Sequence, residues 1–184
     1  MSQFDALTKS MDDVWAWMAR GLTSWRHPMR APTCITSGVD GPRGRTMVLR
    51  DVGDASLIFF TDKRSPKVMA IEQNPRGALH AYDAKRKVQV QLSGVFEVVS
   101  QHAKMATWRQ QGLRRHEDYG QLIAPGQPLS DSPQPAQRAL AEQMFTVLRF
   151  EPDAIEILQL SSAGHRRAVW TKNNEYWSVC HLTP

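Results

Sequence analysis

At 184 residues, with 41% hydrophobic and 22% charged residues, the chain is long enough to bury a core as one domain without disulfide or metal staples. Its net charge of +5 comes from scattered basic residues, and the densest clusters (Lys85-Arg86-Lys87, Arg114-Arg115, Arg166-Arg167) are short. Without zinc-finger spacing, an RNA-binding aromatic signature or a basic helix, small anions are expected partners and nucleic acid is not. No apolar run approaches the roughly 18 to 20 residues of a membrane helix, and the first residues lack the basic start and apolar core of a signal peptide, so the expectation is a cytoplasmic protein without membrane contact.

In chain order, residues 2 to 20 read as one amphipathic helix. Phe4, Leu7, Met11, Val14, Trp15 and Met18 recur every three or four positions, and Gly21 offers a stop. Ala31 to Val39 is a β-branched strand leading into the turn Asp40-Gly-Pro-Arg-Gly44. Arg45 to Val52 is the next strand, Gly53-Asp54 a turn, and Leu57 to Thr61 a short apolar strand, together an antiparallel meander. Ser65 is a natural N-cap with Pro66 at the first helical position, and Asn74-Pro75 ends that helix. Ala78 to Tyr82 and Val88 to Ser100 form a hairpin around Asp83-Ala-Lys-Arg86. In its second strand Val88, Val90 and Leu92 alternate with Gln89, Gln91 and Ser93, giving one apolar and one polar face. Gln101 to Gln111 is helical, Leu113 to Ile123 is a second helix candidate, and Ala124 to Pro135 is a proline-rich loop. After a short helix at Ala136 to Gln143 come strands at Phe145 to Phe150, Ala154 to Leu160, Arg167 to Thr171 and Tyr176 to His181, the last pair joined by Lys172-Asn-Asn-Glu175. Cys34 and Cys180 are expected as two free, buried thiols.

No nucleophile elbow, zinc-protease motif, Walker loop or dinucleotide-binding glycine pattern occurs, and the six histidines show no metal-ligand spacing. What remains is a phosphate site: Arg45, Arg50 and Lys67 stand at strand ends and at a helix start, where guanidinium forks and backbone N–H groups suit an anion.

The ordered run Arg45-Thr-Met-Val-Leu-Arg50, Phe59-Phe60-Thr61, Ser65-Pro-Lys67, Asn74-Pro75, Gln89-Val90 and Gly94, followed by His165-Arg-Arg167, Trp177 and Leu182-Thr-Pro184, resembles the pyridoxamine 5′-phosphate oxidase family of FMN-binding split barrels. That resemblance implies a mainly β (α+β) fold, a six-stranded antiparallel split β-barrel with peripheral helices, and a homodimer with FMN at the subunit interface. It divides a single domain, 1–184, into an N-terminal helix (1–21), barrel segments (30–100 and 145–184) and a helical and loop insertion (101–144). By the same resemblance Arg45 contacts the cofactor phosphate or ribityl chain, the backbone from Thr46 through Met47 and Val48 to Leu49 edges the flavin ring, and Phe60 and Thr61 lie beside the phosphate. Lys67 is a phosphate ligand, Gln89 reaches the flavin from the other subunit, and Arg167 approaches the ring. Arg50, implied to contact the cofactor as well, and His165 are implied substrate contacts. Arg167 and His165 are the catalytic candidates, and no metal is expected.

The departures are specific. Pro66 replaces a phosphate-binding arginine, Val88 an arginine, and Ile157 or Leu158 a tryptophan; Ala163 stands for a substrate arginine. The family's substrate-phosphate Tyr, Arg and Ser have no clear counterparts around Trp108 to His116. Each charge-assisted hydrogen bond is worth roughly 1.5 to 3 kcal/mol, so the FMN site reads as kept and the pyridoxamine phosphate site as eroded. The expected function is an FMN-dependent oxidoreductase acting on an unidentified small molecule. The alternatives are the authentic pyridoxamine/pyridoxine 5′-phosphate oxidase and a non-catalytic protein binding FMN or haem.

Overall fold

The computed structural model describes residues 2–53, 55–100, 103, 105–108, 116–129, 135–174 and 176–184. The N-terminal segment is two helices, α1 (Gln3–Leu7) and α2 (Met11–Thr23), where the apolar periodicity suggests one. Local hydrogen bonding makes the break. Ser2 and Asp5 form a capping box at the start of α1, Thr8 closes it by donating to the Phe4 carbonyl, and the Ser10 side chain caps α2 at Asp13. Gly21 is no stop but lies inside α2, where a Cβ would meet the Met29 backbone at 2.7 Å. It lets α2 pack against the 3-10 turn Pro28–Arg30.

The described strands form one antiparallel sheet: β1 (Thr33–Gly38), β2 (Gly41–Thr46), β3 (Leu49–Gly53), β4 (Ser56–Asp62), β5 (Arg76–Asp83), β6 (Val88–Val98), β7 (Phe145–Gln159), β8 (Arg166–Asn173) and β9 (Tyr176–Leu182). Their order is β2-β1-β5-β6-β7-β4-β3, with β8 and β9 branching from β7. The expected strand at Arg45 to Val52 is thus two strands at opposite edges, β2 and β3, joined by Met47 and Val48 alone. Two residues span at most roughly 10 Å, so the sheet must curl until its edges approach. Those edges do not pair, and the barrel stays split. Gly41, with φ of +87°, makes the β1–β2 turn tighter than the expected five-residue one.

β7 is a single strand where two were expected. It pairs with β6 along its length, with β4 through its first half and with β8 through its second. Pro152 sits where the second partner changes, so its missing N–H breaks no ladder bond there. Gly94 faces it across a bulge, and a Cβ there would stand 2.1 Å from the Glu151 carbonyl oxygen.

Leu49, Leu57, Phe59, Leu92, Phe150 and Ile155 fill the inside of the curl, closed by Val14, Trp17 and Met18 of α2. Trp17, absent from the sequence stripe, is buried, whereas Met11 and Trp15 are only half-buried. α1 is tied down by the Trp170 indole, which donates to the Leu7 carbonyl at 2.9 Å. α3 (Pro66–Gln73) packs on β1, with Ala70 against Gly38. A second cluster on the outer face of β4 and the first half of β7 gathers Trp108, Tyr119, Ala141, Phe145 and Val147, with Phe60 and Met105 alongside. It is built from described helical residues 103 and 105–108, α4 (His116–Tyr119) and α5 (Arg138–Met144). Of the helix expected over 113–123 only 116–119 is helical among the described residues; 109–115 and 130–134 lie outside them. Cys34 is buried but Cys180 is exposed, because β9 is an edge strand with little covering either face.

Candidate functional site

Strand pairing decides which site residues share a face. Arg45 lies opposite Cys34, so its side chain leaves on the inner, core-side face. There it donates to the Thr36 hydroxyl at 2.7 Å and to the Cys34 carbonyl at 3.4 Å. Thr61 is on the inner face of β4, and Lys67 Nζ, from the first turn of α3, donates to Thr61 Oγ1 at 3.0 Å. Ser65 is the N-cap residue as expected, yet its hydroxyl makes no cap bond. It is buried and lies 3.4 Å from Thr61 Oγ1. Burial, then the neighbouring Arg45 guanidinium, lower the Lys67 pKa. Burial raises the Cys34 thiol pKa, with Arg45 opposing. The carboxylate within reach, Asp62, is already held by Arg64 at 2.6 Å. Two cations and two hydroxyls therefore converge on the start of a helix with no carboxylate paired to them among the described residues. A phosphate fits that donor set.

Around this centre the expected contacts separate. Met47 and Leu49 bury their side chains in the core while Thr46 and Val48 are exposed, so along 46–49 the backbone is what can face a ring. Arg50 occupies a bulge in β3 and stands over the Phe60 ring at 5.6 Å, on the outer face with the second cluster. Phe60 and Thr61 consequently face opposite ways.

Gln89 and Arg167 are not near Arg45 in this sense. Pairings Tyr82–Gln89, Gln89–Leu158 and Leu158–Arg167 place these four residues in one row across β5, β6, β7 and β8. Val88, Val90, Ile157 and Ala168 are buried on the inner face, so that row is on the outer face. The same parity puts Leu158 on that face and Ile157 in the core. Arg167 is held by Glu156 at 2.7 Å, which raises its pKa. His165 is exposed in the β7–β8 turn, its Nδ1 accepting from the Ser161 amide at 3.1 Å; no direct contact to Arg50 or Arg167 involves it. Thr36, Tyr82 and Glu156 were not legible as site neighbours, because only register brings them there.

Comparison with known proteins bears on the same segments. Residues 22–100 match the family model "Pyridoxamine 5'-phosphate oxidase, FMN-binding domain". This segment is thus similar to the FMN-binding domains of the pyridoxamine 5′-phosphate oxidase family. FMN is the cofactor of that domain type. Similarity extends well beyond it: the chain is 26% identical to a pyridoxine/pyridoxamine 5′-phosphate oxidase of Trichormus variabilis over 205 aligned positions, covering 100% of this chain and 92% of that protein. A Gluconobacter oxydans protein of the same name is 27% identical over 184 positions, covering 92% and 91%. Among solved structures, a pyridoxamine 5′-phosphate oxidase-related FMN-binding protein of Nostoc punctiforme matches with a TM-score of 0.74 at 24% identity, covering 93% and 96%. PhzG of Burkholderia lata, solved with tetrahydrophenazine-1-carboxylic acid, matches at 0.75 and 17%, covering 96% and 93%. The FMN-binding domain thus sits in a split-barrel fold shared over nearly the whole chain, in a divergent sequence.

Proposed function

We propose that the chain is an FMN-dependent oxidoreductase acting on a small molecule, working as a cytoplasmic homodimer in which residues 1–184 form one domain. The observation that carries this reading is the uncompensated pair Arg45 and Lys67, held with Thr61 and Ser65 at the start of α3. In this reading those four groups bind the FMN phosphate, and the 46–49 backbone borders the flavin. When bound, the flavin supplies the redox chemistry, and the protein supplies position and electrostatics. Gln89 and Arg167 then act on the ring, Gln89 by hydrogen bonding and Arg167 by placing positive charge beside it. They lie on the opposite face of the sheet from Arg45, three strands away in the case of Gln89, which favours their serving the cofactor of a second copy.

The test is the visible spectrum of the purified protein and of the supernatant after heat denaturation. A two-banded flavin spectrum with released FMN supports the reading. A colourless protein that takes up no added FMN overturns it, and a haem-type band would replace it with a non-catalytic haem protein.

The names of the full-length relatives and the basic Arg50 favour one second reading, the authentic pyridoxine/pyridoxamine 5′-phosphate oxidase. Oxygen consumption with pyridoxine 5′-phosphate at a rate matching flavin reduction would establish it. Flavin that stays oxidised in the presence of that substrate would remove it.

A further inference from the structure

A sizeable cleft lies apart from the Arg45–Lys67 cluster. It has a volume of about 610 Å³ and lies between the C-terminal end of α2, the link Ser24–Pro28 and the tip of the β5–β6 hairpin. Register sets Arg45 beside Cys34 and Cys34 beside Leu79, so Arg45 lies level with the middle of β5 and two strands from it, whereas the cleft is at the Tyr82–Asp83 end, and none of Arg45, Thr61, Ser65 or Lys67 lines it.

Its charge is one-sided. Arg20, Arg26, Lys85 and Arg86 line it against a single carboxylate, Asp83. Asp83 is already committed: it caps the hairpin by accepting from the Arg86 amide and guanidinium, both at 2.9 Å. Arg20, Arg26 and Lys85 have no ion pair among the described residues. His27 accepts the Met29 amide proton on Nδ1, which leaves its proton on Nε2 as a further donor, and its ring rests edge-on against Trp17 at 4.8 Å. Thr23 and Ser24 add hydroxyls, and Tyr82 adds an aromatic wall. The volume is that of a small-ligand site, and convergent arginines suit a group with several anionic oxygens.

We propose that this cleft is a second anion site, binding a small phosphorylated ligand through Arg20, Arg26 and Lys85, separate from the site for the FMN phosphate. It does not rest on the flavin reading: the cleft's charge and shape stand whether or not FMN occupies the site at the start of α3. Burial and the Arg20 and Arg86 charges depress the His27 pKa against the opposing pull of Asp83. A bound anion opposes that depression, so binding is accompanied by proton uptake on His27.

The experiment is calorimetric titration of the FMN-loaded protein with pyrophosphate, with citrate in parallel, at two pH values on either side of His27 titration. The expected result is one pyrophosphate per chain, without FMN release, and less proton uptake at the lower pH, where His27 is already charged before binding. Arg20→Ala combined with Arg26→Ala, both at exposed positions, should weaken binding roughly tenfold or more while leaving the FMN content unchanged. Lys85→Ala serves as an independent variant should the double substitution impair folding. Pyrophosphate that displaces FMN, or binds the double variant as tightly as the parent, overturns the assignment. Citrate binding as tightly as pyrophosphate overturns the phosphoryl specificity, and absence of binding to the folded parent overturns the site.

Discussion

Two pairs of cations in this molecule have opposite surroundings. Arg45 and Lys67 crowd each other at the start of α3, with hydroxyls for company and the nearby Asp62 held by Arg64. Arg166 and Arg167, consecutive on β8, each hold a carboxylate: Asp5 of α1 for the first and Glu156 of β7 for the second. The first pair stores positive charge that only an outside anion can neutralise. The second has spent its charge within the chain. Arg166 does so structurally, latching α1 through Asp5, Ser2 and the Phe4 ring. For Arg167 the consequence is sharper. If it addresses a flavin ring it does so as half of an ion pair, and its capacity to stabilise negative charge there is reduced by Glu156.

Substitutions can break this contrast. Arg45→Ala removes charge-assisted hydrogen bonds worth roughly 1.5 to 3 kcal/mol each and should weaken FMN affinity by roughly one to two orders of magnitude, read by quenching of flavin fluorescence. Arg166→Ala should leave FMN affinity where it was and lower the Tm slightly as α1 loosens. Equal FMN losses in both variants would erase the distinction between the two pairs. Glu156→Gln should free Arg167 and raise the flavin midpoint potential by an amount on the order of tens of millivolts, measured by spectroelectrochemistry. An unchanged potential would mean that Arg167 does not reach the ring.

Two pH responses sharpen the comparison further. The Lys67 pKa in the folded protein lies below its ordinary 10.5. Between that lowered value and 10.5 the unfolded chain holds more protons, so stability of the FMN-free protein should rise with pH in this window. FMN affinity should fall over the same range, because the lysine loses the charge that meets the phosphate. Paired chemical-denaturation and FMN titrations would show the opposite slopes, and parallel slopes would place Lys67 away from the phosphate. The smallest effect belongs to α1. Hydrogen bonds from Ser2, then from Arg166, lower the Asp5 pKa from 3.8 to about 2. The latch is fully present above 3.8 and is lost as the pH falls through about 2, which amide exchange in residues 3–7 would follow.

Much of this was legible in the residues. The α3 start at Ser65-Pro66, the alternation of Val88, Gln89 and Val90, and the hairpin at Asp83 to Arg86 are short-range signals, each written within a few positions of the element it produces. Arg45, Thr61 and Lys67 could be singled out because their order resembled a family pattern. Three things were out of reach of local reading. The break between α1 and α2 depended on caps at Ser2 and Ser10 that compete with a continuous apolar stripe. The continuity of β7 through Pro152 depended on where β4 gives way to β8. The separation of β2 from β3 depended on the curl of the whole sheet.

The sequence by itself determined the strands and helices with strong local punctuation, the resemblance to an FMN-binding family and the residues proposed to meet a phosphate, because periodicity, turn residues and motif order are properties of neighbours along the chain. Only the tertiary structure decided which of those residues share a face. Register between β5, β6, β7 and β8 put Gln89, Leu158 and Arg167 in one row, turned Ile157 inward and gave Glu156 to Arg167, while the seating of the α2 end beside the β5–β6 hairpin put Arg20, Arg26 and Lys85 around a cleft. Those strand pairings join positions up to about seventy residues apart, and a one-residue slip in any of them would reverse every face.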